Sequence, residues 1–106
     1  MNLFTCPCCG YRVFKDEPGS HEICPICRWE DDVAQLRFPN LLGANSLSLI
    51  DAQKMCPVDL KHIEKYAKDL EWIPINEDTK IEFLVSGVDY GETYPSDLTK
   101  LYYWKK

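Results

Sequence analysis

The chain has no apolar run approaching the roughly 18 residues of a membrane-spanning helix, and no stretch of low complexity. Cations are in deficit: 12 Lys and Arg stand against 17 Asp and Glu, a formal net charge of −5. Gripping phosphates calls for clustered Lys and Arg. This balance therefore speaks against a nucleic-acid grip and for an encounter with a basic protein surface. There is no glycine-rich phosphate loop, and no nucleophile, base and orienting group fall at a recognisable catalytic spacing. The sequence reads as non-enzymatic. Cys6 stands where the apolar stretch of a secretory signal would need to be, which makes the cytoplasm the expected location. With 106 residues the chain has room for one domain and a modest core, and a metal cross-link is a common supplement at this size. Its hydrophobic content of 45% with 27% charged residues places it among globular rather than disordered chains.

Cysteine is abundant. The segments Cys6-Pro7-Cys8-Cys9-Gly10 and Cys24-Pro25-Ile26-Cys27 each place two thiols at i and i+3, with fourteen residues between the pairs. A tight turn with sulfurs at i and i+3 aims both at one metal. Two such turns supply the four thiolates of a tetrahedral site: Cys6, Cys9, Cys24 and Cys27. This is metal spacing rather than a disulfide framework, and metal-bound thiolates belong to reducing compartments. Zn²⁺ is the expected ion. Iron is the alternative, because Cys9-Gly10-Tyr11 and Cys24-Pro25 resemble rubredoxin-type knuckles and tetrahedral sulfur accommodates either metal. Four thiolates leave no position for water, so the metal is expected to hold the fold rather than to catalyse. Four thiolates binding one divalent ion would bring the net charge to about −7.

Other residues carry weaker signals. Cys8 lies between two ligands and cannot easily join their tetrahedron. It reads as a small residue in a tight turn, with a reactive thiol as the alternative. Cys56 reads as a small apolar core residue. His21, three residues before Cys24, would permit a three-Cys-one-His site, but the symmetry of the two pairs disfavours it. His62 reads as a solvated helix residue, and Trp29 as a shield for the metal. The acidic run Glu30-Asp31-Asp32 reads as a solvated or partner-facing patch or a helix cap, since carboxylates alone do not define catalysis. Of the aromatic set Tyr90, Tyr94, Tyr102, Tyr103 and Trp104, most are expected in the core or an edge strand. Exposed tyrosines beside acids also suit protein contact. The candidate partner surface is therefore Glu30, Asp31, Asp32, Tyr90, Tyr94 and Tyr103.

These signals predict an α+β fold. Residues 1–40 form a zinc-ribbon or rubredoxin-like knuckle lobe. Residues 41–106 form a small body with a helix and short antiparallel strands, the whole behaving as one cooperative domain. Tyr11 to Phe14 reads as a strand and Pro18-Gly19 as a turn. The chain then returns through His21 to Ile23, so that one hairpin carries a cysteine turn at each end. The stretch after Asp32, including Phe38-Pro39-Asn40 and Gly43-Ala44-Asn45, reads as linker-like. Ser48 with Asp51 fits a capping box for a helix through Met55, which Cys56-Pro57 interrupts. Leu60, Ile63, Ala67 and Leu70 recur on one face of a helix spanning 59–70, with Glu64 and Lys68 as a supportive pair. Ile81 to Val85 and Leu101 to Trp104 read as strands. Alternation in the second would put Tyr102 and Trp104 on one face and Tyr103 on the other.

Taken together, Cys6-Pro7-Cys8-Cys9-Gly10-Tyr11, then Ile23-Cys24-Pro25-Ile26-Cys27-Arg28-Trp29-Glu30-Asp31-Asp32, then Gly43-Ala44-Asn45-Ser46-Leu47-Ser48-Leu49 resemble the cysteine-rich CPCC family of small bacterial proteins. The resemblance covers about residues 1–55, roughly half of the chain. It implies a metal-binding N-terminal lobe, and that Cys8, Trp29, Glu30, Asp31, Asp32 and Asn45 belong to the family's own pattern. It implies no biochemical activity. The family's helix usually continues past residue 55, and Cys56-Pro57 departs from that.

The expected function is protein binding by a zinc-stabilised protein, in concrete form an immunity or antitoxin protein that neutralises a basic bacterial toxin. One alternative is a zinc-ribbon module on nucleic acid or the transcription machinery, although residues 1–40 offer only Arg12, Lys15, Arg28 and Arg37 against six acids. Another is a rubredoxin-like iron electron carrier.

Overall fold

The first cysteine turn is the tip of a two-stranded antiparallel ladder. Strands β1 (Phe4–Thr5) and β2 (Arg12–Phe14) pair on either side of it, Phe4 opposite Phe14 and Thr5 opposite Arg12, with an irregularity between the two pairs. The computed structural model describes residues 3–56, 63–80 and 94–105. The second turn closes a separate, shorter hairpin, with Ile23 bridged to Glu30 and the Cys24 N–H donating to the Trp29 carbonyl at 2.8 Å. The expected single hairpin with a cysteine turn at each end is therefore corrected to two hairpins. The reason lies at the outer edge of β2, which a distant segment occupies. Arg12 N–H donates to the Ala67 carbonyl at 2.9 Å, Asp69 N–H donates to the Gly10 carbonyl at 2.8 Å, and Tyr11 bridges Lys68.

Two short helices follow. Helix α1 (Val33–Arg37) starts where Asp32 accepts from the N–H groups of Ala34 and Gln35, an N-cap that satisfies two otherwise orphaned donors. It ends at Phe38, before Pro39. The stretch expected as linker thus begins with a helix. Helix α2 (Leu49–Met55) is capped by Ser48, whose hydroxyl accepts from Asp51 N–H at 3.2 Å, as the capping box predicts. It stops at Cys56, ahead of the proline.

The predicted helix over 59–70 does not reach its end. Its first part lies outside the described residues. From Ile63 the chain turns at 64 and 65, and Lys68 is already paired with Tyr11. Leu70, assigned to the buried stripe by periodicity, is 93% exposed, whereas its neighbour Asp69 is 1% exposed. Asp69 explains the reversal. Its carboxylate accepts from Thr5 Oγ1 at 2.8 Å, Trp104 Nε1 at 3.1 Å and Glu71 N–H at 3.0 Å, and lies 3.9 Å from the Arg12 guanidinium. Hydrogen bonds to an ionised acceptor are the strong ones, and they outweigh a weak helical propensity.

The closing strand is also corrected. Leu98–Leu101 forms a 3₁₀ turn capped by Asp97, and residues 103–104 form a further turn. Tyr102 and Trp104 nevertheless share a side, both buried and stacked with ring centroids 4.5 Å apart, while Tyr103 meets Trp104 edge-on. The turn brings the Trp104 indole to Asp69. The strand expected at Ile81 to Val85 lies outside the described residues. The core joins the cysteines to Phe14, Ile26, Trp29, Leu36, Leu49, Tyr102 and Trp104. No described helix is long and apolar enough to cross a membrane.

Burial pushes the Asp69 carboxyl upward, but the donors from Thr5, Glu71 and Trp104 more than offset this and hold it below the usual carboxylate range. Its stabilising contribution is therefore complete above the ordinary carboxylate value of about 3.9 and is lost as pH falls through the lower folded value. Replacing Asp69 by Ala strands three donors, and a loss of about 3 kcal/mol in urea unfolding at neutral pH is expected. The difference from the parent should shrink in acid, and a constant difference down to pH 2 would contradict the assignment.

Candidate metal centre

The two cysteine turns repeat one local geometry. In the first, Gly10 N–H donates to the Cys6 carbonyl and Cys6 N–H to the Tyr11 carbonyl, both at 2.8 Å. In the second, Arg28 N–H donates to the Cys24 carbonyl at 2.9 Å. The residue after each second cysteine takes a left-handed conformation, with φ of 83° at Gly10 and 72° at Arg28. Gly10 is required twice over, because a Cβ there would lie 2.5 Å from the Trp72 ring. The Trp72 indole in turn donates to the Pro7 carbonyl at 3.0 Å, which also accepts from Gln53 Nε2 of α2 at 2.8 Å. The first turn is thus held from outside by two segments distant in sequence.

Both turns aim their sulfurs at one point. The Sγ atoms of Cys6, Cys9, Cys24 and Cys27 all lie within 4.8 Å of one another, all four side chains are buried, and none is in a disulfide. The close contacts run between the turns, Cys6 to Cys27 at 3.6 Å and Cys9 to Cys24 at 3.7 Å. A tetrahedron with metal–sulfur bonds of about 2.3 Å has edges of about 3.8 Å, so the four sulfurs fit a bound ion with little movement. Burial raises the Cys6 thiol well above its ordinary range. Cys24 goes the other way. Hydrogen bonds from the Cys27, Cys6 and Cys9 thiols, and from the Cys27 N–H, favour its thiolate. An ion that recruits all four sulfurs as thiolates must displace protons.

The acidic run beside the second turn is largely committed to the fold. Asp31 is 3% exposed, and its carboxylate accepts from the Ser20 hydroxyl at 2.6 Å and the Ser20 N–H at 3.3 Å. Burial raises its carboxyl above the ordinary value. Asp32 caps α1 and also accepts from Ala44 N–H at 2.9 Å. Glu30 remains partly exposed. Asn45 clips its backbone from both sides, accepting from Glu30 N–H and donating to the Glu30 carbonyl, each at 2.8 Å. Asn45 also donates to the buried Gln35, whose amide donates to the carbonyls of Leu41 and Leu47. Asp31 is thus buried, and Asp32 is half-buried at its cap.

Of the tyrosines expected on the candidate partner surface, Tyr90 lies outside the described residues. Tyr94 is half-buried with the Arg37 guanidinium 4.9 Å from its ring. Tyr103 is half-buried, donates to the Ile73 carbonyl and accepts from Gln53. His21 is exposed, its Nδ1 3.4 Å from the Glu30 carboxylate, and is no part of the sulfur site. His62 lies outside the described residues. Trp29 is buried beside the cysteines, as expected of a shield.

The sequence reading passed over Gln35, Gln53, Trp72 and Asp69. Only Gln35 had a local signal, standing three residues after the Asp32 cap in capping-box spacing. The others act across long sequence separations that spacing does not reveal.

With this geometry in place, the comparison with family models is decisive. The model of the family described as cysteine-rich CPCC matches residues 4–58. The chain belongs to the cysteine-rich CPCC family. None of the curated proteins matches it. The match spans both turns, α1 and α2, so the family segment contains the whole sulfur site, while Trp72 and residues 67–69, which brace the first turn and β2, lie beyond it. This CPCC protein is a small protein whose cysteine cluster can hold a metal ion.

Two outcomes follow. Replacing Cys24 or Cys27 by Ser should release the ion and unfold at least the N-terminal lobe, read by metal analysis and circular dichroism. A variant that stays loaded and folded would refute the four-sulfur assignment. Arg28→Gly should raise stability by about 1 kcal/mol, because a left-handed residue with a Cβ carries a penalty that glycine lacks. The urea midpoint of the metal-loaded protein reports it.

Proposed function

We propose that this CPCC protein is a non-enzymatic, zinc-stabilised binding protein whose partner is a basic protein. The observation that carries the reading is the closure of the sulfur site. Four buried thiols converge with tetrahedral spacing, and a tetrahedral ion held by all of them has no position left for a substrate or water. The metal then serves architecture, and the work passes to the surface it supports. Among the described residues Leu42 is 65% and Met55 69% exposed, and Glu30, Tyr94 and Tyr103 are half-exposed. The net charge of −5 favours rapid encounter with a cationic partner. The concrete form of the reading is an immunity or antitoxin protein that neutralises a basic toxin. Zn²⁺ is the proposed ion because a structural four-thiolate site needs no redox chemistry. A colourless protein with one zinc tightly held supports it, whereas the visible absorbance of ferric thiolate would reassign the site to iron.

The binding test is co-expression with a basic toxin encoded beside this protein, followed by titration of the purified pair. Protection of the cells and a complex that weakens steeply as salt rises are expected. Survival no better than toxin alone, with no complex at low salt, would reject the reading.

A further inference from the structure

Four of the six cysteines complete one tetrahedron, which leaves Cys8 and Cys56 without a role. Both are reduced. Although far apart in sequence, they converge on Cys27, and the Sγ atoms of Cys8, Cys27 and Cys56 all lie within 4.8 Å of one another. Two accidental core cysteines have no reason to meet a metal ligand, and each other, at that spacing. Three thiolates on one ion need separations of about 3.8 to 4.0 Å for metal–sulfur bonds of about 2.3 Å, so the set is within about an ångström of a coordination site. Cys8 is placed by the first turn, which Gln53 of α2 and Trp72 anchor through Pro7. Cys56 is placed by the abrupt end of that same α2. The stop of α2 at Cys56 is therefore what delivers the third sulfur.

We propose that Cys8, Cys27 and Cys56 form a second site for a thiophilic metal ion, with Cys27 Sγ bridging the two ions. Loading a divalent ion there converts the Cys8 and Cys56 thiols to thiolates, releasing two protons to solvent, while Cys27 is already a thiolate of the first site. Four thiolates on one divalent ion and six on two both carry a net charge of −2, so the second ion loads without adding buried charge. Soft thiolate donors select Zn²⁺ or Cu(I) over harder ions.

The two sites differ in one respect. The first is saturated by protein sulfur, whereas the second has three protein donors and a place for an exogenous ligand. A cleft of about 230 Å³, lined by Cys8, Cys27, Trp29, Asn45, Leu47 and Met55 among others, lies against it and supplies an entry path. The Trp29 indole N–H is buried with no acceptor among the described residues, and an unpaired buried donor is costly. A water or thiolate held on the second ion would bring an acceptor into the cleft that Trp29 lines.

The proposal rests on the four-sulfur site, so the test reads the two separately. The full-length metal-free protein, kept reduced and anaerobic, is titrated with Co²⁺ and followed by optical and electron paramagnetic resonance spectra. The first equivalent should give tetrahedral thiolate bands and a high-spin resonance. The second should add sulfur charge-transfer absorbance while the resonance fades, because the shared thiolate couples the two spins. Cys8→Ser and Cys56→Ser should each bind one equivalent and keep an unquenched resonance, which also shows that they fold. Saturation of the parent at one equivalent overturns the second site and leaves the first standing. Two equivalents in both variants, or a second resonance without coupling, also overturn it. If the first equivalent gives no tetrahedral bands, the four-sulfur reading falls with it.

Discussion

The structure depends on sulfur contacts made between two turns. Cys6 meets Cys27 and Cys9 meets Cys24, so an ion placed among them ties one hairpin to the other. Among the described residues no backbone hydrogen bond joins residues 4–14 to residues 23–30. The ladder of each hairpin is too short to persist alone, since an isolated two-stranded hairpin is marginal in water. The thiolates must therefore do what a continuous sheet does elsewhere. They also set the protonation demand, because burial favours neutral thiols and only a cation at the centre makes four buried thiolates tolerable.

Around that centre, buried polar side chains take the place of missing regular structure. Asn45 reproduces a strand-like pair of hydrogen bonds to Glu30, and Gln35 fastens the loop carbonyls of Leu41 and Leu47. Asp69 collects Thr5, Trp104 and its own turn into one knot. Each joins segments far apart in sequence, and each is fully satisfied, which is the condition under which a buried polar group rigidifies rather than weakens a core. A short chain with little helix or sheet obtains a specific shape in this way. The residues that the family resemblance grouped without roles, Glu30, Asp31, Asp32 and Asn45, turn out to belong to this bracing.

What was legible in the sequence was local. The i, i+3 cysteine pairs, the Ser48 cap and the Cys56-Pro57 stop each depend on residues a few positions apart, and the structure has them where they were read. The helix to Leu70 and the strand to Trp104 failed for one reason. Both patterns count apolar residues and ignore what a buried carboxylate demands. Asp69 needs donors, it recruits Thr5 and Trp104, and the backbone on either side follows it out of helix and strand. Helix α1 was missed because a linker composition of proline, glycine and asparagine follows directly after its five residues. A helix-cap role was read for the acidic run, and Asp32 fills it, but the signal that Gln35 adds three residues later was not read.

Cys27 is where the architecture and the surface meet. It belongs to the closed tetrahedron and also lines the cleft that Leu47 and Met55 flank. A ligand or partner seated in that cleft would press on an atom that the fold cannot release. A ligand there whose affinity differs between two states of the sulfur cluster shifts the balance of those states, and linkage requires the reverse effect to be equal. A cluster whose occupancy alters the position or charge of Cys27 thereby alters affinity at the cleft by the same factor. A structural site placed in the depth of a domain would have no such consequence. Here one sulfur, Cys27, belongs both to the cysteine cluster and to the wall of the cleft, so a ligand that tells the loaded cluster from the empty one would be linked to its metal content.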